Sequence, residues 1–214
     1  MSVFVEIFND TFGGDFKDPN DKQFVKKCFD TWLRYGKTIS FEDVISTILA
    51  DAVWKKLEKP SHDDKYCWFG ESIECFLNKA NIEAKDGDFK GEGDNPRYIK
   101  PDLSFISGQE RVIVEIKSPS RNNFLYPKKD IIRLAKIKAA HSNIRTYMVI
   151  MNDSEDYTPD EWNKEFQCRS NTTLTKDYKM QVVPCICPPF SILTADPNGK
   201  KRILTLHLFE IKSY

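Results

Sequence analysis

Residues 101–117 read PDLSFISGQERVIVEIK, and the order of polar and apolar side chains in this stretch decides the fold. Two short runs, Pro101 to Phe105 and Arg111 to Lys117, are rich in β-branched and aromatic residues that favour extended backbone. Between them Ile106-Ser107-Gly108-Gln109-Glu110 is turn-prone, so the pattern predicts an antiparallel hairpin. Side chains alternate along a strand, which puts Glu115 and Lys117 on one face and turns Val114 and Ile116 into the core. Asp102 opens the neighbouring strand, and a turn of ordinary hairpin length brings its carboxylate within metal-bridging distance of Glu115.

Downstream, Asp130 to Ala140 predicts a basic amphipathic helix and Thr146 to Met151 a fully apolar strand. Strand, helix and strand in this order suggest a crossover onto the same sheet. Met180 to Cys187 and Arg202 to Lys212 read as a final pair of strands around the turn Asp196-Pro197-Asn198-Gly199. Upstream, the β-branched and aromatic run Val3 to Phe8 predicts a short strand, closed by the turn-forming stretch Asn9 to Asn20. A helix through Phe24, Val25, Cys28, Phe29 and Trp32 stops at Gly36. Ser40 and Asp43 resemble a capping box that opens a second helix through Val44, Ile48, Leu49, Ala52 and Val53 toward Pro60. A third helix is expected over Asp64 to Ala80, with Phe69, Ile73, Phe76, Leu77 and Ala80 on its buried face, then a polar loop or ragged hairpin from Lys85 to Pro96.

The expected fold is α/β: a mixed, partly antiparallel central sheet flanked by helices. Residues 1–60 form an α-rich N-terminal addition and residues 61–214 the core with its C-terminal strand pair, together one domain. At 214 residues, 40% hydrophobic and 30% charged, the chain is long and apolar enough to bury a core, which excludes disordered and fibrous classes. There is no apolar run of bilayer-spanning length and no signal-peptide pattern at the start, so the cytoplasm is expected, or the nucleus in a eukaryote, with no membrane partner. Six cysteines at irregular spacings suit reduced thiols in the cell interior. Cys185 and Cys187 with Cys168 and His207 match no structural zinc spacing, and His141 and His207 read as packing or surface histidines.

The formal net charge is zero, yet it is unevenly distributed. From Arg111 to Arg145 nine basic residues oppose two acids, Glu115 and Asp130, whereas from Ser61 to Asn95 nine acids oppose four lysines. Arg121, Lys128, Lys129, Arg133, Lys136 and Lys138 are therefore candidates to neutralise nucleic-acid phosphates, against the alternative of a solvated helix face.

Asp102 and Glu115 are oxygen donors of the kind Mg²⁺ takes, and the Ile116 carbonyl can add another. Lys117 beside them can orient an attacking water or stabilise negative charge on a phosphoryl group. Pro101-Asp102, twelve intervening residues and then Glu115-Ile116-Lys117 resemble the PD-(D/E)XK motif of the restriction-endonuclease-like superfamily, over roughly Asp64 to Met151. The resemblance implies a metal-dependent nuclease, an endonuclease first, using Mg²⁺ with Mn²⁺ as a substitute. It implies nucleic acid as partner, DNA before RNA, and allows a homodimer. It also implies a further metal-binding glutamate on the helix before the hairpin, for which Glu74 and Glu71 are the candidates. Glu74 is preferred because it flanks the apolar helix face, while Gly70 gives Glu71 a distorted turn near the site. Two other classes stay open: a catalytically silent nucleic-acid-binding module of the same fold, and a structural or assembly protein.

Overall fold

The computed structural model describes residues 2–12, 19–35, 40–57, 65–83, 99–117, 126–152, 180–185 and 190–213. Within them a mixed seven-stranded sheet is sandwiched between two layers of helices, five in all. The chain opens with three helices, α1 (Val3–Phe12), α2 (Pro19–Tyr35) and α3 (Phe41–Lys56). β1 (Lys65–Phe69), α4 (Ile73–Lys79), β2 (Leu103–Ser107) and β3 (Glu110–Lys117) follow. After them come α5 (Tyr126–Ala140), β4 (Ile144–Asn152), β5 (Met180–Pro184), β6 (Phe190–Ala195) and β7 (Lys201–Ser213).

The expected hairpin is present: β2 and β3 pair antiparallel, with Leu103 opposite Val114 and Ser107 opposite Glu110. So is the crossover, because β4 lies parallel to β3 with Glu115 opposite Met148 and α5 joins the two. Val112, Val114 and Ile116 enter the core shared with α1–α3, whereas Ile113 enters the core shared with α4 and α5. The period-two alternation read from the sequence therefore assigns each side of β3 to its own helix layer. The N-terminal helices are built into that first core. Phe4, Ile7, Phe8, Phe12, Phe29, Ile45 and Leu49 pack with Leu103, Phe105 and Tyr147 of the sheet.

Three expectations need correction. Val3 to Phe8 is helical, since Phe4, Ile7, Phe8 and Phe12 are the buried positions and recur at a 3.6-residue period. A strand would have split Phe4 and Phe8 from Ile7 onto opposite faces; residue type favoured extension, but packing of four aromatic and aliphatic side chains on one helical stripe overrides it. The helix expected over Asp64 to Ala80 is instead β1 and α4, divided at Gly70, whose φ of 65° lies in the left-handed region. Ser72 then caps α4 by accepting from the Cys75 N–H at 3.3 Å, and Ile73, Phe76, Leu77 and Ala80 keep the shared buried face read from the sequence.

The C-terminal strand pair is a set of three. β6 forms the hairpin with β7 across Asp196 to Gly199, and β5 pairs with the other half of β7, Gln181 opposite Lys212. Thr205 and Leu206 pair with β4 on one side and β6 on the other, so β5 and β6 lie end to end along the edge of β7 away from β4. The Ser40 cap of α3 is as expected, its Oγ accepting from the Asp43 N–H at 3.3 Å. The stretch Lys85 to Pro96 and the stop at Gly36 lie outside the described residues.

Candidate active site

β3 carries Glu115 and Lys117 at its C-terminal end, where the parallel crossover begins and where Glu42 of the first turn of α3 and Asp130 of α5 also arrive. Crevices at the carboxyl ends of parallel strands are where open α/β sheets place ligands. Glu115 is 2% exposed and sits on the α5 face of the sheet. Asp102 lies one residue before β2, and its Oδ2 accepts a 2.6 Å hydrogen bond from the Ile116 N–H. This bond extends the hairpin beyond its last paired residues and fixes the Asp102 carboxylate beside Glu115.

Two cations bridge the acids. Lys117 Nζ lies 3.8 Å from Glu115 Oε2, 4.0 Å from Asp130 Oδ2 and 3.9 Å from Glu42 Oε2. Arg133 Nη1 lies 3.3 Å from Glu115 Oε1 and 3.1 Å from Asp130 Oδ1. Asp102, Glu115, Lys117 and Arg133, all singled out from the sequence, are thus gathered in one place. Asp130 and Glu42 join them. Asp130 was legible only as an acid in a basic helix, and Glu42 only as an acid in the first turn of a capped helix, where it complements the helix dipole.

Burial pushes the Glu115 carboxyl up to about 8; Asp102 and Asp130 add to the rise, and Lys117 and Arg133 oppose it. For Lys117 burial alone would lower the pKa, but Glu115, Asp102, Asp130 and Glu42 outweigh it and hold the ammonium above its ordinary value. Lys117 is therefore a fixed positive charge in this arrangement.

When all six groups are ionised, four carboxylates face two cations and leave a surplus of two negative charges. The donor set fits a hard divalent cation in element and in charge. Among the described residues no three carboxylate, histidine or cysteine side chains already form a metal cage. Lys117 and Arg133 stand among the carboxylates instead. Set beside protein-family models, curated proteins and solved structures, the chain matches none. The resemblance thus rests on these residues and their arrangement.

Of the other candidates, Glu71 is half-buried and its Oε1 accepts from the Ser72 N–H at 2.9 Å, while Glu74 occupies the first turn of α4. Neither is among the charges that act on Glu115 or Lys117, whereas Glu42 acts on Lys117 directly. Lys128 and Lys129 fall in the first turn of α5, Lys136 is half-buried on it, and Arg121 lies outside the described residues.

Much of the positive segment is committed internally. Arg145 pairs with Glu110 and Glu210, Arg111 Nε donates to the Ala80 carbonyl, and Lys138 Nζ donates to the carbonyls of Ser142 and Ile144. Lys117 and Arg133 are engaged as well, so five of the nine basic side chains between Arg111 and Arg145 have internal partners among the described residues. Cys28 is buried and Cys67 and Cys185 half-buried, with Cys67 pushed up to about 12 by burial, while Cys168 and Cys187 lie outside the described residues. His207 stacks on Phe209 in the core, and burial lowers it to about 4. No helix among the described residues is long and apolar enough to cross a membrane.

Proposed function

We propose that the chain is a divalent-metal-dependent nuclease of the PD-(D/E)XK kind, hydrolysing phosphodiester bonds in nucleic acid, with DNA as the first substrate. The observation that carries this reading is the convergence of Asp102, buried Glu115 and Lys117 at the C-terminal end of β3, beside the further acids Asp130 and Glu42. Mg²⁺, or Mn²⁺ in its place, would be held by Asp102, Glu115 and the Ile116 carbonyl, with Asp130 the further acid that acts on Glu115. When bound, the ion supplies an acidified water and a Lewis acid for the phosphoryl oxygens.

The chain's own residues do the rest. The Ile116 N–H orients Asp102, so that one carboxylate oxygen is fixed on backbone and the other is left for a ligand. Glu115, desolvated, is a strong acceptor for any cation that arrives. Lys117 keeps its charge and stabilises the negative charge that accumulates on the phosphoryl group. Arg133, with Lys128, Lys129, Lys136 and Arg121, would contact phosphates, Arg133 at the reacting centre and the others along the substrate.

A silent nucleic-acid-binding module is the second reading, favoured by the closure of the cluster with Lys117 and Arg133 among its carboxylates. Incubation of the purified chain with linear, circular and single-stranded DNA and with RNA, in Mg²⁺, Mn²⁺ or chelator, separates the two. Cleavage that depends on the metal supports the nuclease; binding without cleavage of any substrate supports the module.

A further inference from the structure

We propose that Arg133 is the internal counter-ion of the metal-free site and competes with a divalent cation for Glu115, thereby setting the affinity of the site for metal. This deepens the metal-dependent reading above and rests on it. Both oxygens of Glu115 face a cation, Oε1 toward Arg133 at 3.3 Å and Oε2 toward Lys117 at 3.8 Å. The two contacts differ in kind. Arg133 is at hydrogen-bonding distance, whereas Lys117 is a longer ion pair that also reaches Asp130 and Glu42. Arg133 is therefore the tighter occupant of the carboxylate that the metal needs.

Arg133 is also built to let go. Asp130, three residues before it on the same helix, holds Nη1 at 3.1 Å and keeps the guanidinium paired when Glu115 is taken. Its contacts with Glu115 and Asp130 both run through Nη1, and Nε is buried with no hydrogen-bond partner. Such an unmet donor marks a side chain held by charge rather than by a completed network. The side chain is 28% exposed, so exchange with an ion from solvent does not require the core to open. Removing one positive charge at this distance from a buried carboxylate favours any other cation there, since the interaction is poorly screened.

The test is calorimetric titration of the full chain with Mn²⁺ at fixed ionic strength over about pH 7–9, with affinities referred to the ionised Glu115 carboxylate, comparing wild type, Arg133→Gln and Arg133→Lys. Arg133→Gln is expected to bind Mn²⁺ at least about tenfold more tightly, because the neutral amide leaves Glu115 without its competitor. Arg133→Lys, which keeps the charge, is expected to stay within about threefold of wild type. Unchanged or weaker binding by folded Arg133→Gln overturns the inference and leaves the metal reading standing. Absence of Mn²⁺ binding by the wild type overturns both. Should Arg133→Gln fail to fold, the wild type supplies the answer: the Arg133 Nε–H resonance, assigned by its loss in Arg133→Lys, is expected to shift during a Mg²⁺ titration. A resonance that stays fixed while the metal binds overturns the inference.

Discussion

Neutralising Glu115 should stabilise the metal-free protein in alkaline solution. The folded pKa of about 8 lies above the ordinary 4.5, so the folded chain holds a proton that the unfolded chain has lost over the interval between them. The associated stability is complete below about pH 4.5 and disappears as pH rises through about 8. Moving a carboxyl from 4.5 to about 8 corresponds to about 5 kcal/mol against ionisation, of which about 4 is lost by pH 8. Glu115→Gln keeps the shape and leaves Lys117 with Asp130 and Glu42, and Arg133 with Asp130. Allowing about 1–2 kcal/mol for the interactions surrendered, the variant should exceed wild type by about 2–3 kcal/mol at about pH 8. At about pH 5 the two should agree within about 1 kcal/mol. Urea denaturation in chelator across this range measures the difference directly. Two curves that run parallel from pH 5 to 8 would mean that Glu115 ionises freely, and the desolvation argument would fail. Mg²⁺ added at the alkaline end should raise the stability of wild type and leave Glu115→Gln nearly unaffected.

Further outcomes follow from the same geometry. Asp102→Asn retains an acceptor for the Ile116 N–H, so circular dichroism and melting should change little, while cleavage should fall by at least about a hundredfold. Asp102→Ala orphans that donor and should lose a further ~1–3 kcal/mol of stability, a loss that denaturation would show to be absent if the hydrogen bond contributes nothing. Replacing Lys128, Lys129 and Lys136 together with alanine should weaken nucleic-acid binding equally for all sequences. It should also reduce the slope of log affinity against log salt by about one for each phosphate no longer neutralised. An unaltered slope would assign these lysines to solvent. Arg133 is kept in that variant because its pairs with Glu115 and Asp130 would tie any loss of binding to a change in the site itself.

The hairpin and crossover were legible because period-two alternation in Arg111 to Lys117 and the apolar run at Thr146 to Met151 are local signals that tertiary packing reinforces. The strand misread at Val3 to Phe8 shows the limit of composition: Phe4 and Phe8 favour extension as residue types, yet their spacing with Ile7 and Phe12 lets all four meet the sheet. Strand β1 was hidden because Phe69 stands at helical spacing from Ile73 and Phe76 across Gly70, where the left-handed backbone divides strand from helix. In the site, Asp102, Glu115 and Lys117 could be joined from sequence because one hairpin carries all three. Glu42 could not, since it lies 73 residues before Glu115 and reaches Lys117 only through the packing of α3 against the sheet. Arg133 and Asp130 were visible as charges, but whether a helical charge faces solvent or the site is settled by the crossover angle of α5, which no local pattern encodes.

If the cluster at the end of β3 binds a divalent metal and uses Lys117 for chemistry, metal binding and cleavage separate in a single variant. Mg²⁺ affinity by calorimetry and single-turnover cleavage of a DNA duplex are measured on the same preparations of wild type and Lys117→Ala. Wild type should cleave in Mg²⁺ and stop in chelator. Lys117→Ala should retain metal binding but lose at least about a hundredfold in rate, because the carboxylates remain while the fixed positive charge is gone. Cleavage by Lys117→Ala at the wild-type rate, or no metal-dependent cleavage by wild type of any nucleic acid, would contradict the account.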